Sequence, residues 1–269
     1  MLAPSLFISH GSPMFAVQPG RLGAQLNRVG QTLRGLNAIL VVSPHWQTSS
    51  SHSGPTLRVS AVLEPQTIHD FFGFPPILYD LQYAASGSPE IAARVVTVLA
   101  NAGFSVELDA KQGLDHGVWV PLMHLLPDAQ VPVICVSLPL DATPKMAFEI
   151  GQAVASLREG GIAILGSGSM THNLSEFRGA QSLEASPYVT AFTQWVRSKV
   201  SVRDTARLLE YREQAPSAVR AHPTEEHFLP LFVAYGASGE SDSFEVLETE
   251  VRHGMLSMES YAWGLNDSS

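Results

Sequence analysis

The sequence is poor in cysteine, in charged residues and in long apolar runs. Its 269 residues include one cysteine, Cys135, so neither a disulfide framework nor a CxxC zinc site can form. The 16 Lys and Arg residues form no run and the net charge is -9, which disfavours nucleic acid and anionic membranes as partners. No apolar stretch approaches the roughly 20 residues of a membrane span, and residues 1–10 carry no signal-peptide pattern. A cytoplasmic location is therefore expected.

The composition indicates an ordinary globular chain with a sizeable core. Hydrophobic residues make up 45% of the sequence, and the length fits one large α/β domain, which we expect to span residues 1–269. Charged residues make up only 15%, against roughly a quarter in typical domains. Another subunit could cover part of such a surface, so homo-oligomerisation stays open.

Short apolar runs of strand length alternate along the chain with stretches of helical character. The predicted strands are 5–9, 38–43, 104–108, 131–138, 162–166 and 244–249. The predicted helices are 21–36, 88–102, 118–126, 144–159 and 187–199, with a more polar helical stretch at 201–220. This alternation is typical of an α/β domain with a mostly parallel central sheet flanked by helices.

Three of the ten histidines lie at the ends of predicted strands. His10 ends the first strand in HGSP, His45 follows the second in SPHW, and His172 follows the strand 162–166 through the turn GSGSMTHN. Ligands of open parallel sheets bind beyond the carboxyl ends of strands, so these imidazoles can converge there. A lone histidine more often forms only a local backbone hydrogen bond, but three at strand ends indicate a transition-metal site or an acid/base cluster.

Two further histidines are candidates for the same site. His227 lies in HPTEEHFLPL, where Thr224 is predicted to cap a helix with two glutamates in its first turn, so that His227 falls one turn inside the helix. Either glutamate could bind a metal, although acidic residues in a first turn more often complement the helix dipole. His116 lies in a glycine-flanked turn before a helix, and Asp115 beside it could orient an imidazole.

An aromatic loop and one tryptophan are candidates for a substrate pocket. His69 lies in IHDFFGFP, which holds Phe71, Phe72 and Phe74, and Trp46 directly follows His45. Such side chains could enclose a flat apolar ring, although simple core packing is equally compatible with the aromatic residues.

The motifs together resemble the class III extradiol ring-cleavage dioxygenases, in particular their 4,5-DOPA dioxygenase extradiol-like branch, which is related to the catalytic subunit of protocatechuate 4,5-dioxygenase. The resemblance spans essentially the whole chain, and although each motif alone is weak, the six occur in the family's order. They are HGSP at His10, SPHW at His45, IHDFFGFP at His69, LDHGVWVPL at His116, GSGSMTHNL at His172 and PTEEHFLPL at His227.

The resemblance implies one divalent metal at the carboxyl edge of the sheet, bound by His10, His45 and His227. Protocatechuate-type members have a glutamate as the third ligand, whereas the DOPA-type branch has a histidine at the position of His227. Fe(II) is expected for dioxygenase activity, and a nitrogen-rich site also suits Zn(II). His172 matches a residue that is the catalytic base in some members and a further metal ligand in zinc-bound ones, and His116 matches an active-site histidine behind the ligands.

The implied reaction is cleavage of a catechol-type ring by dioxygen, next to the two hydroxyls, to give a ring-opened semialdehyde. The expected partners are a small aromatic diol and dioxygen, with His172 as the base. Two alternatives stay open. One is a zinc-dependent hydrolase, for which Asp115, Glu225 or Glu226 would have to supply a general base, and the other is a non-catalytic metal-binding protein on the same fold.

Overall fold

The computed structural model describes residues 2–33, 35–49, 56–177 and 184–265. The strands in these ranges are β1 (Ser5–Ser9), β2 (Ala38–Thr48), β3 (Thr56–Ser60), β4 (Ser105–Asp109), β5 (Val133–Pro139), β6 (Ile162–Gly168), β7 (Phe244–Glu248), β8 (Val251–Arg252), β9 (Leu256–Ser257) and β10 (Ser260–Trp263). The α-helices are α1 (Gly20–Thr32), α2 (Pro89–Asn101), α3 (His116–Leu125), α4 (Pro144–Val154), α5 (Pro187–Ser201), α6 (Thr205–Leu209), α7 (Tyr211–Gln214), α8 (Ala218–Ala221) and α9 (Leu229–Ala237). None of these helices is long and apolar enough to cross a membrane.

Eight strands form one sheet in the order β4-β3-β5-β2-β6-β1-β10-β7. The four central strands, β5, β2, β6 and β1, pair in parallel, as predicted. The flanks are mixed, because β3 pairs antiparallel with β5, and β10 pairs antiparallel with both β1 and β7. The parallel centre brings the carboxyl ends of β1, β2 and β6 to one edge of the sheet.

Helices cover both faces of the sheet, as predicted for an α/β fold. Along β2, Leu40 and Val42 pack into a hydrophobic cluster with α2, α4, α5 and α9. The alternate residues Ile39 and Val41 pack into a second cluster with α1 and α3. Because side chains alternate across a strand and both faces are covered, a central strand such as β1 is buried at every position.

The predicted elements agree with the structure in position, and the differences lie at their ends. The predicted helix 144–159 stops at Val154 and continues as a 3-10 helix over Ala155–Gly160. The stretch 201–220 contains three short helices. Strands β3 and β10 were not predicted, since β3 carries the exposed Arg58 and β10 is only four residues long.

Candidate metal centre

Five histidines gather at the carboxyl edge of the sheet, between the two helix layers. His10 is the first residue beyond β1, and its backbone N–H donates to the carbonyl of Gly168 at the end of β6 (2.9 Å). The His10 Nε2 atom lies 3.3 Å from the Nε2 atom of His45. The ring centroid of His227 lies 5.8 Å from that of His10, and His116 lies 5.6 Å from His10. The predicted convergence of strand-end imidazoles is therefore present.

An irregularity in β2 directs His45 toward the site. Val42 pairs with Val136 and Gln47 pairs with Leu138, so the four residues 43–46 lie opposite the single residue Ser137. Such a bulge bends the strand and redirects side chains, and bulges are common beside active sites. The predicted strand 38–43 ends where this bulge begins, whereas the structure continues β2 through His45 to Thr48.

A glycine at the start of α3 makes room for the bulge. A Cβ atom at Gly117 would lie 2.5 Å from Ser43 Oγ and 2.9 Å from His45 Cδ2. The Ser43 hydroxyl donates to Asp115 Oδ1 (2.7 Å). Asp115 thus anchors the bulge, rather than orienting an imidazole as the sequence suggested.

The prediction that Thr224 caps a helix containing His227 is wrong. Helix α9 begins at Leu229, so His227 lies before it, and the Thr224 hydroxyl donates to Glu226 Oε1 (3.0 Å) instead of accepting from the backbone. Pro230 near the helix start favours initiation at this later point. The carbonyl of His227 accepts from the N–H of Ser169 (2.8 Å), which fixes His227 against the loop that follows β6.

His172 lies in that same loop and stacks on His227. The backbone N–H of His172 donates to the carbonyl of Ala221 (2.9 Å). This hydrogen bond joins the loop that carries His172 to the segment that precedes His227. The ring centroids of His172 and His227 are 3.6 Å apart and their planes differ by only 7°. The two rings are therefore parallel and in van der Waals contact.

A serine behind His10 fixes which ring nitrogen faces the site. The Ser167 hydroxyl donates to the carbonyl of Gly117, so its oxygen is available to accept from His10 Nδ1, which lies 3.0 Å away. With the proton held on Nδ1, the lone pair of His10 is on Nε2 and faces His45. Ser167 was not singled out from the sequence.

Two carboxylates stand behind the other imidazoles. Asp70 Oδ2 lies 3.6 Å from His45 Nδ1, and Asp70 Oδ1 lies 3.0 Å from His116 Nδ1 and accepts from the backbone N–H of His116 (2.9 Å). Glu226 Oε1 lies 3.0 Å from His227 Nδ1. The sequence analysis quoted the loop that contains Asp70 but gave that residue no role.

Burial lowers the pKa values of four of the clustered imidazoles, those of His10, His45, His172 and His227, and so favours their neutral form. Burial, then the neighbouring histidines, lower the pKa of His10 well below its ordinary value and that of His45 to about 2. Burial and the proximity of His227 lower the pKa of His172 to about 3. The hydrogen bond from His227 lowers the pKa of Glu226 to about 2, so this carboxylate is charged at neutral pH.

The donor set fits a divalent transition metal. Candidate ligand atoms of His10, His45 and His227 lie within 4.8 Å of one another. Two nitrogens about 2.1 Å from one ion at a tetrahedral angle lie about 3.4 Å apart, close to the 3.3 Å between the Nε2 atoms of His10 and His45. With the protons of both rings on Nδ1, the two Nε2 lone pairs would face each other, and a shared cation would remove their repulsion.

The predicted pocket residues divide between the site and the core. Phe71 contacts the His116 ring edge-to-face, with centroids 5.7 Å apart, and Phe74 contacts Phe71 in the same manner at 5.4 Å. His69 lies farther out, where its Nε2 lies 3.0 Å from the carbonyl oxygen of Leu81. Trp46 is buried in the hydrophobic cluster that also contains residues of α1 and α3. The Phe72 side chain is 90% exposed and does not line a pocket.

The neutral imidazoles predict that the metal-free protein is sensitive to acid. In the unfolded chain a histidine is protonated below pH 6.5, whereas His45 and His172 in the folded chain stay neutral down to about pH 2 and about pH 3. Between these folded-state values and pH 6.5, the unfolded state binds more protons than the folded state. The contribution of these histidines to the free energy of unfolding is therefore fully present above pH 6.5 and is lost as the pH falls. Within this range, each such histidine lowers the free energy of unfolding by about 1.4 kcal/mol for every pH unit of acidification.

Thermal unfolding of chelator-treated protein, followed by circular dichroism, measures this effect. The midpoint should fall steeply between about pH 7 and about pH 5. His172→Asn should reduce the dependence, while His69→Asn, outside the cluster, should leave it in place. A midpoint that does not change over this range would contradict the prediction.

Comparison with known proteins identifies the class. The family model of the catalytic LigB subunit of aromatic ring-opening dioxygenase matches residues 4–263. The match covers nearly the whole chain, and the chain belongs to this family.

Individual relatives narrow the assignment. The chain is 39% identical to a 4,5-DOPA dioxygenase extradiol of Beta vulgaris, over 96% of this chain and 95% of the relative. It is 34% identical to a 4,5-DOPA dioxygenase extradiol of Escherichia coli K12, over 95% and 92% of the two chains. A crystal structure of an uncharacterized Escherichia coli K12 protein superposes with a TM-score of 0.75 at 29% identity, over 97% of this chain and 99% of that one.

The resemblance seen in the six motifs is therefore confirmed, and the chain is an extradiol aromatic ring-opening dioxygenase. One of the three carboxylates considered as a hydrolytic base has a partner of its own: the Glu225 carboxylate accepts from the Tyr211 hydroxyl (2.8 Å).

Proposed function

We propose that His10, His45 and His227 bind one divalent metal and that this centre cleaves a catechol-type ring with dioxygen to give a semialdehyde. The observation that carries the proposal is the 3.3 Å approach of the His10 and His45 Nε2 atoms beside His227. When bound, Fe(II) would supply the redox chemistry for dioxygen, and a divalent cation would acidify a catechol hydroxyl. Zn(II) would satisfy the same nitrogens, but it supplies no redox chemistry.

His172 is the proposed base rather than a metal ligand. The His172 ring stacks on that of His227, with centroids 3.6 Å apart and planes that differ by 7°. His172 would therefore lie beside the three nitrogens that would hold the metal without being one of them. Because burial keeps His172 neutral at working pH, its free nitrogen can accept the proton of a substrate hydroxyl.

His116 is the proposed second acid/base group. Its ring centroid lies 4.0 Å from that of His45, and Asp70 holds its Nδ1 side. The opposite side of the ring is then free to face a substrate or dioxygen. A histidine suits proton transfer there because an imidazole nitrogen can either donate or accept a proton.

The proposed substrate is a small aromatic diol, and the relatives' names make a DOPA-like catechol the first to test. Phe71 and Phe74 form an apolar wall beside His116, which suits a flat ring. The substrate-binding roles of His69 and Trp46 stay predictions.

A pair of substrates that differ by one hydroxyl tests the proposal. Oxygen uptake and semialdehyde absorbance are measured after anaerobic reconstitution with Fe(II), with DOPA, catechol and phenol as substrates. Catechols should react and phenol should not, because a mono-phenol cannot bind one metal through two oxygens. Equal oxygen uptake with phenol and catechol would contradict the proposed substrate class.

A further inference from the structure

Each of two candidate metal ligands has a carboxylate directly behind it. Asp70 faces Nδ1 of His45 at 3.6 Å, and Glu226 faces Nδ1 of His227 at 3.0 Å. His10 differs, since its Nδ1 faces the uncharged hydroxyl of Ser167. The three ligands therefore have one neutral and two anionic partners.

Each carboxylate also approaches a proposed acid/base histidine. Asp70 lies 3.0 Å from Nδ1 of His116, and candidate ligand atoms of Glu226, His172 and His227 all lie within 4.8 Å of one another. Two similar units thus flank His10, each containing one ligand, one acid/base histidine and one carboxylate.

The absence of negative charge among the three proposed ligands indicates a role for Asp70 and Glu226. Three neutral imidazoles contribute no negative charge, so a bound divalent cation would bring two uncompensated positive charges into a largely buried site. A buried charge is costly unless it is paired. Asp70 and Glu226 have side chains only 25% and 27% exposed, so solvent screens them only in part.

We propose that Asp70 and Glu226 together compensate the charge of the bound metal, and so take the electrostatic role of a carboxylate ligand while staying outside the coordination shell. The inference rests on the proposed metal site. For Asp70 the position is clear: Nε2 of His45 faces His10, and Asp70 lies on the opposite, Nδ1 side of the ring. Asp70, at 3.6 Å from His45 Nδ1, would act on the metal through its charge alone. Glu226 is within hydrogen-bond distance of His227 Nδ1 (3.0 Å), and a carboxylate that accepts from the far nitrogen of an imidazole also makes that imidazole a stronger ligand.

Isosteric neutral variants separate charge from orientation. Asp70→Asn and Glu226→Gln each remove one negative charge. Glu226→Gln keeps an acceptor oxygen for His227, whereas Asp70→Asn leaves one acceptor oxygen for the two imidazoles that Asp70 faces. Each should weaken metal affinity by about 10- to 100-fold, measured by competition with a chelator in the absence of substrate. At saturation the visible spectrum of the Co(II)-loaded variants should equal that of the wild type, because the ligand atoms are unchanged.

Glu225→Gln is the matched control. It removes the same charge from the adjacent residue, whose carboxylate instead binds the Tyr211 hydroxyl. Its metal affinity should equal that of the wild type. Circular dichroism of the metal-free variants checks folding, and either of the two test variants is sufficient if the other does not fold.

Three results would overturn the inference. Wild-type affinity in both test variants would show that the charge has no role. An equal loss in Glu225→Gln would indicate only the long-range field of the chain. An altered Co(II) spectrum would indicate that a carboxylate is itself a ligand, or that an imidazole has moved. If the wild type bound no metal at all, the proposed centre itself would fail, which is a separate outcome.

Discussion

Replacing His10 with alanine should leave the purified protein without stoichiometric metal and reduce ring opening to background. The substitution removes one of three converging nitrogens and leaves Nε2 of His45 without its facing partner. The loss of affinity should exceed the roughly 10- to 100-fold cost of losing a residue that only supports a ligand. Metal content by elemental analysis and oxygen uptake with a catechol measure the two effects.

His69→Ala is the control for this experiment. The Nε2 atom of His69 lies 3.0 Å from the carbonyl oxygen of Leu81. His69 does not belong to the five-histidine cluster, so the variant should keep its metal. If His10→Ala retained one metal per chain while its catechol activity remained intact, His10 would not be a ligand.

Replacing His172 with alanine should lower kcat for ring opening by roughly 10²- to 10⁴-fold, while KM and metal content change little. The reason is geometric: the His172 ring is stacked parallel on that of His227, with centroids 3.6 Å apart, and His172 is not one of the three proposed ligands. Removing it should therefore slow proton transfer without removing a ligand. Metal stoichiometry and steady-state kinetics are measured on the same preparation.

His124→Ala serves as the control for His172→Ala. His124 lies on α3 and contacts the carbonyl of Phe15 (2.9 Å), remote from the imidazole cluster, so its kcat should match the wild type. A fall in metal content in parallel with kcat in His172→Ala would make His172 a ligand and remove its assignment as the base.

The position of the candidate site followed from the sequence because strand ends are easy to recognise. His10, His45 and His172 each come after an apolar run, and parallel strands bring such positions to one edge of a sheet. The parallel pairing of β1, β2 and β6 supplies that edge. The convergence thus needed no knowledge of side-chain contacts.

The supporting residues could not be predicted in the same way. Asp70 and Ser167 act through contacts with residues far away in the chain, and nothing in their local sequence indicates those partners. His227 was assigned to a helix because Thr224 and the following glutamates look like a capped helix start. The Thr224 hydroxyl instead donates to Glu226, two residues away, and a tertiary hydrogen bond from the Ser169 N–H to the His227 carbonyl holds the segment before α9. Local propensity is often overruled in this way.

Two inner strands of the sheet, β3 and β10, were also missed by the sequence patterns, although the edge strands β4 and β7 were predicted. The short β10 offers no run of strand length, and its pairing with β1 is a contact between the two ends of the chain. The bulge in β2 was not predicted either, because a proline such as Pro44 is typical of the end of a strand.

The pairing of β1 with β10 has a consequence for how a nascent chain acquires metal. The Ser9 hydroxyl, next to His10, donates to the carbonyl of Glu259, a residue 250 positions later. β1 also pairs with β6 on its other side, so the segment that carries His10 is not held in place until the residues of β10 have been synthesised. Pairing between such distant segments forms slowly. Binding of a metal at the proposed centre should accordingly follow the synthesis of β10, because His10 is held in its place only then.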